Sequence, residues 1–170
     1  MALHSLIDIQ PRVEQFYYRE AQLLDDRQLL EWVGLFSDDT TYTVSIHEKL
    51  MHRAQPSGPE ADHTEVLHSD DRPFLEVRAR RLLETSLAHA EKPPSVTRRL
   101  IGNVMVSAAD DGLAVRSNFM VFQARFHMYE TTFVGTRYDL LQVSGDDFLI
   151  RSRRVVLDQF TLARTLTVFF

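Results

Sequence analysis

Four segments in the second half of the chain, TRRLIGNVMVSA, LAVRSNFMVFQARFHM, TTFVGTRYDLLQVS and DFLIRSRRVVLDQ, follow one another with little but turn residues between them. Each is long, rich in β-branched and aromatic residues, and alternates apolar with polar, as a strand with one buried face must. Asp111-Gly112, the neighbourhood of Tyr129-Glu130 and Gly145-Asp146 supply the breaks. Strands joined so tightly pair with their neighbours as an antiparallel meander, and such a sheet leaves one face that other elements must cover.

The first half contains that cover. In residues 9–24, Val13, Phe16, Tyr17, Ala21 and Leu24 recur at three- and four-residue intervals, which predicts a helix with Pro11 in its first turn. Leu29, Trp32, Val33 and Phe36 predict a second helix, with Asp26 as its N-cap. TTYTVSIHE predicts a strand over 40–48, whereas 49–70 collects Pro, Ser, Gly and charges and reads as a long loop. From Arg72 helical spacing returns through Phe74, Val77, Leu82 and Leu83, until Pro93-Pro94 stops it. The expected fold is α+β: N-terminal helices packed in a strongly curved, mostly antiparallel sheet, one domain over 1–170.

Several function classes are excluded or disfavoured by content. The chain has no cysteine, so it offers no disulfide, thiol nucleophile or cysteine-held metal cluster. Its net charge of -5, with no glycine-rich phosphate loop, argues against nucleic acid as a partner. No apolar run is long enough to span a membrane and the N-terminal stretch lacks a leader pattern, so a cytoplasmic protein is expected.

Candidate chemistry is sparse. HEKLMH resembles a zinc motif, but His47 and His52 are five residues apart, about 500° of helix rotation, and do not share a helical face. His63 and His68, with Asp62, Asp70 and Asp71, could hold a divalent ion, although loops gather such residues for solubility alone. Asp25, Asp26, Asp38 and Asp39 flank the second helix; a carboxylate there could act as a general base, and helix caps use the same residues. Tyr42 and Tyr138 could donate hydrogen bonds in a pocket. Arg98, Arg99, Arg151 and Arg153 form basic stripes, with alternation sending Arg151 and Arg153 to one face and Arg154 to the other; arginine in such stripes suits subunit contacts.

Three ordered blocks carry a resemblance: EQFYYREAQLLDDRQLLEWVGLFSDDTTYTV, then RLLETSLAHAEKPPSVTRRLIGNVMV, then RRVVLDQFTLARTLTVFF. Together they resemble the small β subunits of aromatic-ring-hydroxylating dioxygenases, the biphenyl, cumene and toluene type especially, with the 49–70 loop unmatched. Two departures are His89, where an aromatic residue is expected, and the missing asparagine before the final strand. The resemblance implies the cystatin-like cone of nuclear transport factor 2 and a non-catalytic scaffolding role in an α3β3 hexamer. It further implies that the larger α subunit carries a Rieske [2Fe-2S] cluster and a mononuclear Fe(II), fed with NADH-derived electrons through a reductase and ferredoxin. The assembly would convert an aromatic ring and dioxygen to a cis-dihydrodiol. No catalytic, cofactor or metal residue is then expected in this chain.

The closing residues Leu166, Val168, Phe169 and Phe170 are an apolar tail that needs a covering surface, either the sheet or a neighbouring subunit. With Arg98, Arg99, Arg151 and Arg153 they are the expected interface candidates. Two other readings use the same cone: a free-standing dehydratase or isomerase with Asp38, Asp39, Tyr42 or His127 as candidates, and a small-ligand-binding module without chemistry.

Overall fold

The computed structural model describes residues 3–47, 64–84, 93–126, 129–162 and 166–170. In chain order these form α1 (Leu3–Asp25), α2 (Leu29–Val33), β1 (Phe36–His47), β2 (Thr64–Asp70), α3 (Arg72–Leu83), β3 (Val96–Ala109), β4 (Gly112–Arg125), β5 (Tyr129–Ser144) and β6 (Asp147–Leu157). The last four strands are the expected meander, each antiparallel to the next. β1 adds to β6 in parallel and β2 pairs antiparallel with β1, so the sheet order is β2-β1-β6-β5-β4-β3. The architecture is α+β with a mixed, mostly antiparallel sheet.

Alternation decides what the sheet buries. Val115, Phe119 and Val121 of β4 and Phe133 and Leu141 of β5 point into the core, where α1 presents Val13, Phe16, Tyr17 and Leu24. Each such side chain removed from water contributes roughly 1.5–3 kcal/mol. Gly135 of β5 is the gap that admits Phe119: a Cβ there would meet Phe119 Cζ at 2.9 Å and Val156 O at 2.3 Å. Gly145, at φ 59, makes the β5–β6 turn in the left-handed region that favours glycine.

Several local expectations change. α1 starts at Leu3, so Pro11 lies inside the helix and removes one N–H from its ladder. α2 is only five residues long because Phe36 already belongs to β1, and its N-cap is Gln28, not Asp26. Residues 64–70 are strand β2, not loop: Thr64, Val66 and Ser69 pair with His47, Ser45 and Thr43 of β1. On α3 the buried positions are Leu75 and Ala79, while Phe74, Val77 and Leu83 are exposed. The helix packs against β1 and α2 through a different stripe from the one its most apolar residues suggest. Tyr129 and Glu130 start β5; the bend before them includes Phe126, at φ 54.

One irregularity re-aims a charge. Leu140 pairs with Ser152 and Leu141 with Ile150, so Arg151 is an extra residue bulged out of β6. The bulge inverts the alternation: Phe148 and Ile150 point inward before it, Arg153, Val155 and Leu157 after it. Arg151 and Arg153 therefore lie on opposite faces, contrary to simple alternation.

Candidate functional site

The interior of the sheet is where a fold of this shape would hold a ligand, and four charged side chains converge there. Glu20 falls on the buried stripe of α1, one turn after Phe16, and is fully buried. Arg137 and Asp139 occupy successive inward positions of β5, and the β6 bulge turns Arg153 inward beside them. Two acids meet two bases, so the cluster is neutral.

Arg153 is its centre and uses all five of its N–H donors. Nε donates to Asp139 Oδ1 at 2.9 Å, and Nη2 donates to Asp139 Oδ2 at 2.7 Å and Glu20 Oε2 at 3.0 Å. Nη1 bonds Glu20 Oε1 and donates to the backbone oxygen of Phe170 at 2.9 Å. Glu20 also accepts from Arg137 Nη1 at 3.0 Å and from Trp32 Nε1 at 2.9 Å, and Tyr17 OH donates to Asp139 Oδ2 at 2.7 Å. Arg137 Nη2 has no hydrogen-bond partner among the described residues, but its guanidinium stands 4.6 Å from the centre of the Tyr17 ring, a cation–π contact.

These contacts set the protonation states. Burial alone would raise the Glu20 carboxyl, yet the Arg153 and Arg137 guanidiniums outweigh it and lower it to about 2. Burial lowers Arg153 in the same way, and Asp139 and Glu20 reverse this, holding it well above its ordinary value. Tyr17 is raised by burial and by the neighbouring Asp139 charge. At neutral pH Glu20 is an ionised acceptor with its oxygens occupied, an arrangement suited to holding elements together and unsuited to moving protons.

The tail fills the remaining space. Phe169 stacks on Trp32 at 4.5 Å between ring centres, and Phe170 meets Phe119 at 5.3 Å and Phe133 at 5.4 Å. Its backbone is held as well: Arg99 Nη2 donates to Phe169 O at 2.9 Å, and Phe170 N donates to Tyr42 OH at 3.0 Å. Leu166, Val168, Phe169 and Phe170 are all buried within this chain. Of the two covering surfaces expected for the tail, its own sheet is the one observed here. Beside Arg99 and Phe169 a cavity of about 30 Å³ remains, room for one water.

The other sequence candidates are dispersed. Arg99 is buried and paired with Asp25, which also accepts from Thr97 Oγ1 at 3.0 Å; Arg98, next to it, is exposed on the outer face. Asp38 and Asp39 stand exposed at the rim, Asp38 bonded to Arg72 and Asp39 to Ser37 Oγ at 2.8 Å, while Tyr42 is inside. The rim groove that Asp38 and Asp39 line does not include Tyr42. Asp70 pairs with Arg78 and Asp71 caps α3 through Phe74 N at 2.9 Å, so neither is left for an ion. Burial and the Arg78 charge lower the His68 imidazole below its ordinary value. Tyr138 is on the outer face under Arg154 at 4.4 Å. His52, Asp62, His63, His89 and His127 lie outside the described residues. Among the described residues no group of three or more His, Asp or Glu is placed to hold a metal ion.

Glu20, Arg137 and Asp139 were not among the residues singled out from sequence. Their signal was present: Glu20 sits on an apolar helical stripe, and Arg137 and Asp139 sit at core parity in a strand, positions where a charge persists only if paired.

The fold is shared with dioxygenase β subunits. A structure of naphthalene 1,2-dioxygenase with indole bound in its active site superposes with a TM-score of 0.82 at 20% identity, over 100% of this chain and 95% of that one. The β subunit of benzoate 1,2-dioxygenase from Burkholderia mallei is 28% identical, with a TM-score of 0.66 over 86% of this chain and 88% of that one. A β subunit ascribed to an aromatic-ring-hydroxylating dioxygenase of Novosphingobium aromaticivorans gives 0.74 at 22% identity, covering 96% and 97%. The sequence profile of the ring hydroxylating beta subunit family matches residues 19–164, a span that takes in Glu20, the whole meander and Arg153. The chain belongs to that family: it is the β subunit of an aromatic-ring-hydroxylating dioxygenase.

Proposed function

We propose that this β subunit is a structural, non-catalytic member of the terminal oxygenase, an α3β3 hexamer in which it scaffolds the larger subunits. The observation that carries the reading is the filled interior: the Arg153 network and the Phe169–Phe170 tail occupy the space a free-standing enzyme or binder of this fold would need. Lacking cysteine, the chain leaves the Rieske [2Fe-2S] cluster to the α subunit, and the mononuclear Fe(II) belongs there too. That partner supplies the redox chemistry, with NADH-derived electrons arriving through a reductase and ferredoxin in the cytoplasm, and the product is a cis-dihydrodiol of an aromatic ring. This chain's own residues hold a rigid sheet on which the partner is mounted.

Co-expression with the large-subunit gene, followed by light scattering and iron analysis, tests this. A heterohexamer whose iron appears only when the large subunit is present is the expected result. An iron-free oligomer that ignores the large subunit would overturn it.

A further inference from the structure

Arg99 fastens three parts of the chain to one another. Its backbone N–H donates to Asp25 Oδ2, at the end of α1, at 3.0 Å. Its Nη1 pairs with Asp25 Oδ1 and donates to Thr97 Oγ1 at 2.9 Å, and its Nη2 donates to Phe169 O in the tail at 2.9 Å. The side chain is 4% exposed, and among the described residues its Nε meets no acceptor. An N–H of a charged group sealed from bulk water is costly to leave unpaired, and in folded proteins such groups are satisfied by protein or by ordered water.

A second group of hydrogen bonds borders the same space. Gln123 of β4 donates from Nε2 to Ser95 Oγ, just before β3, at 3.0 Å and to Thr167 Oγ1 in the tail at 3.2 Å. Ser95, Thr97, Arg99, Gln123 and Thr167 all line the cavity of about 30 Å³ beside Phe169, and apolar side chains of α1, α2 and the tail complete its wall. The cavity therefore lies between two polar groups, each of which already reaches the tail by a direct bond.

Size and charge select the occupant. Organic ligands occupy sites of roughly 300 Å³ and more, whereas one water needs about 10–15 Å³ and two to four polar partners. An anion finds little charge to spare: Asp25 neutralises Arg99, and Arg27, the other cation in the wall, is half-buried and donates from Nη2 to Leu82 O at 3.0 Å. A water accepts and donates at once, and a hydroxyl oxygen accepts twice as well as donating, so sharing Gln123 does not exhaust Ser95 or Thr167.

We propose that one ordered water is bound in this cavity, accepting from Arg99 Nε and donating to the hydroxyl oxygens that Gln123 also contacts. It joins the two groups into one network, so that the tail is held against the sheet through a water bridge as well as directly.

Crystals of the full chain, at a resolution that shows ordered water and with a matched set soaked in bromide, test it. One water peak within hydrogen-bond distance of Arg99 Nε and of Ser95 Oγ or Thr167 Oγ1, unchanged by bromide and without anomalous signal, is the expected result. An anomalous bromide peak there would make the site an anion site and overturn the proposal. A dry cavity, a water that does not bond Nε, or an Nε bonded to a protein acceptor would overturn it as well. Nuclear magnetic resonance gives an independent reading in solution. The Arg99 Nε–H signal should show a nuclear Overhauser effect to water, with the sign of a long-lived bound molecule; a signal without that effect would also overturn the proposal. Arg99→Lys keeps the charge facing Asp25 and lacks Nε, so the signal and its water contact should be lost together. Should that variant fail to fold, through-bond assignment of the wild-type chain identifies the same signal.

Discussion

Arg153 and Arg151 stand two residues apart on β6, yet the first is sealed inside the sheet between Glu20 and Asp139 while the second lies at the rim, shared by Asp39 and Asp111. Both have two carboxylate partners. The side chains of Arg153, Glu20 and Asp139 are 0% exposed, against 38%, 65% and 68% for Arg151, Asp39 and Asp111. Water screens the outer group and would solvate whatever a mutation left behind; the inner group has no such refuge. The same residue types are thus a weak accessory in one place and a large contributor to stability in the other. The one-residue bulge at Arg151 separates them.

The strongest way to break this comparison is Arg153→Met. It removes all five donors and leaves Glu20, Asp139 and the Phe170 oxygen buried together. A loss of about 3–5 kcal/mol is expected in urea unfolding, a large share of the 5–15 kcal/mol typical of a domain. A loss below about 1 kcal/mol would show that the interior admits water and that burial is not what distinguishes the two arginines.

Phe170→Ala should come next, at about 3 kcal/mol, since it opens a space between Phe119 and Phe133. Phe170→Leu, which keeps most of the volume and the backbone contacts to Arg153 and Tyr42, should lose clearly less. Equal losses from the two would mean that the backbone contacts, not the ring, fix the tail.

Acid sharpens the contrast without mutation. Glu20 is held at about 2, below its ordinary value near 4.5, so its contribution is complete above pH 4.5 and disappears as pH falls toward 2. A drop on the order of 3 kcal/mol is expected across that window in urea titrations, and Glu20→Gln should flatten the part of the slope that Glu20 causes. Asp39 at the rim is also lowered, chiefly by the Ser37 hydroxyl, but it is exposed, and Asp39→Asn should leave the acid profile unchanged. A profile unmoved by Glu20→Gln would place the acid-sensitive step elsewhere.

The four meander strands, α1 and the α+β class were readable from alternation and helical spacing because one face of each is continuously apolar. β2 was not, since Thr64–Asp70 carries two acids and a histidine and owes its strand form to pairing with β1 at an edge. The α3 face was misread because Phe74 and Val77 are its most apolar residues but Leu75 and Ala79 are the ones that fit against the neighbouring elements. The inner network escaped because period-two alternation cannot register a bulge, so Arg153 was assigned to the face of Arg151. Glu20 was legible in principle, as a charge on an apolar stripe, but its arginine partners lie 117 to 133 residues away in sequence.

The smallest effect closes the comparison. Arg151→Gln should cost between 0 and about 1 kcal/mol, since Asp39 and Asp111 return to water and Asp39 keeps its bond from Ser37 Oγ at 2.8 Å. Whatever it does cost should shrink in 1 M salt, where the screening length falls to about 3 Å, while the loss in Arg153→Met should hold nearly constant. Measuring both variants at low and high salt therefore separates the two sites by mechanism and not only by size. If the rim variant matched the inner one and resisted salt, exposure would no longer explain the difference. The bulged backbone would then be the element that both arginines stabilise, Arg151 from outside the sheet and Arg153 from within.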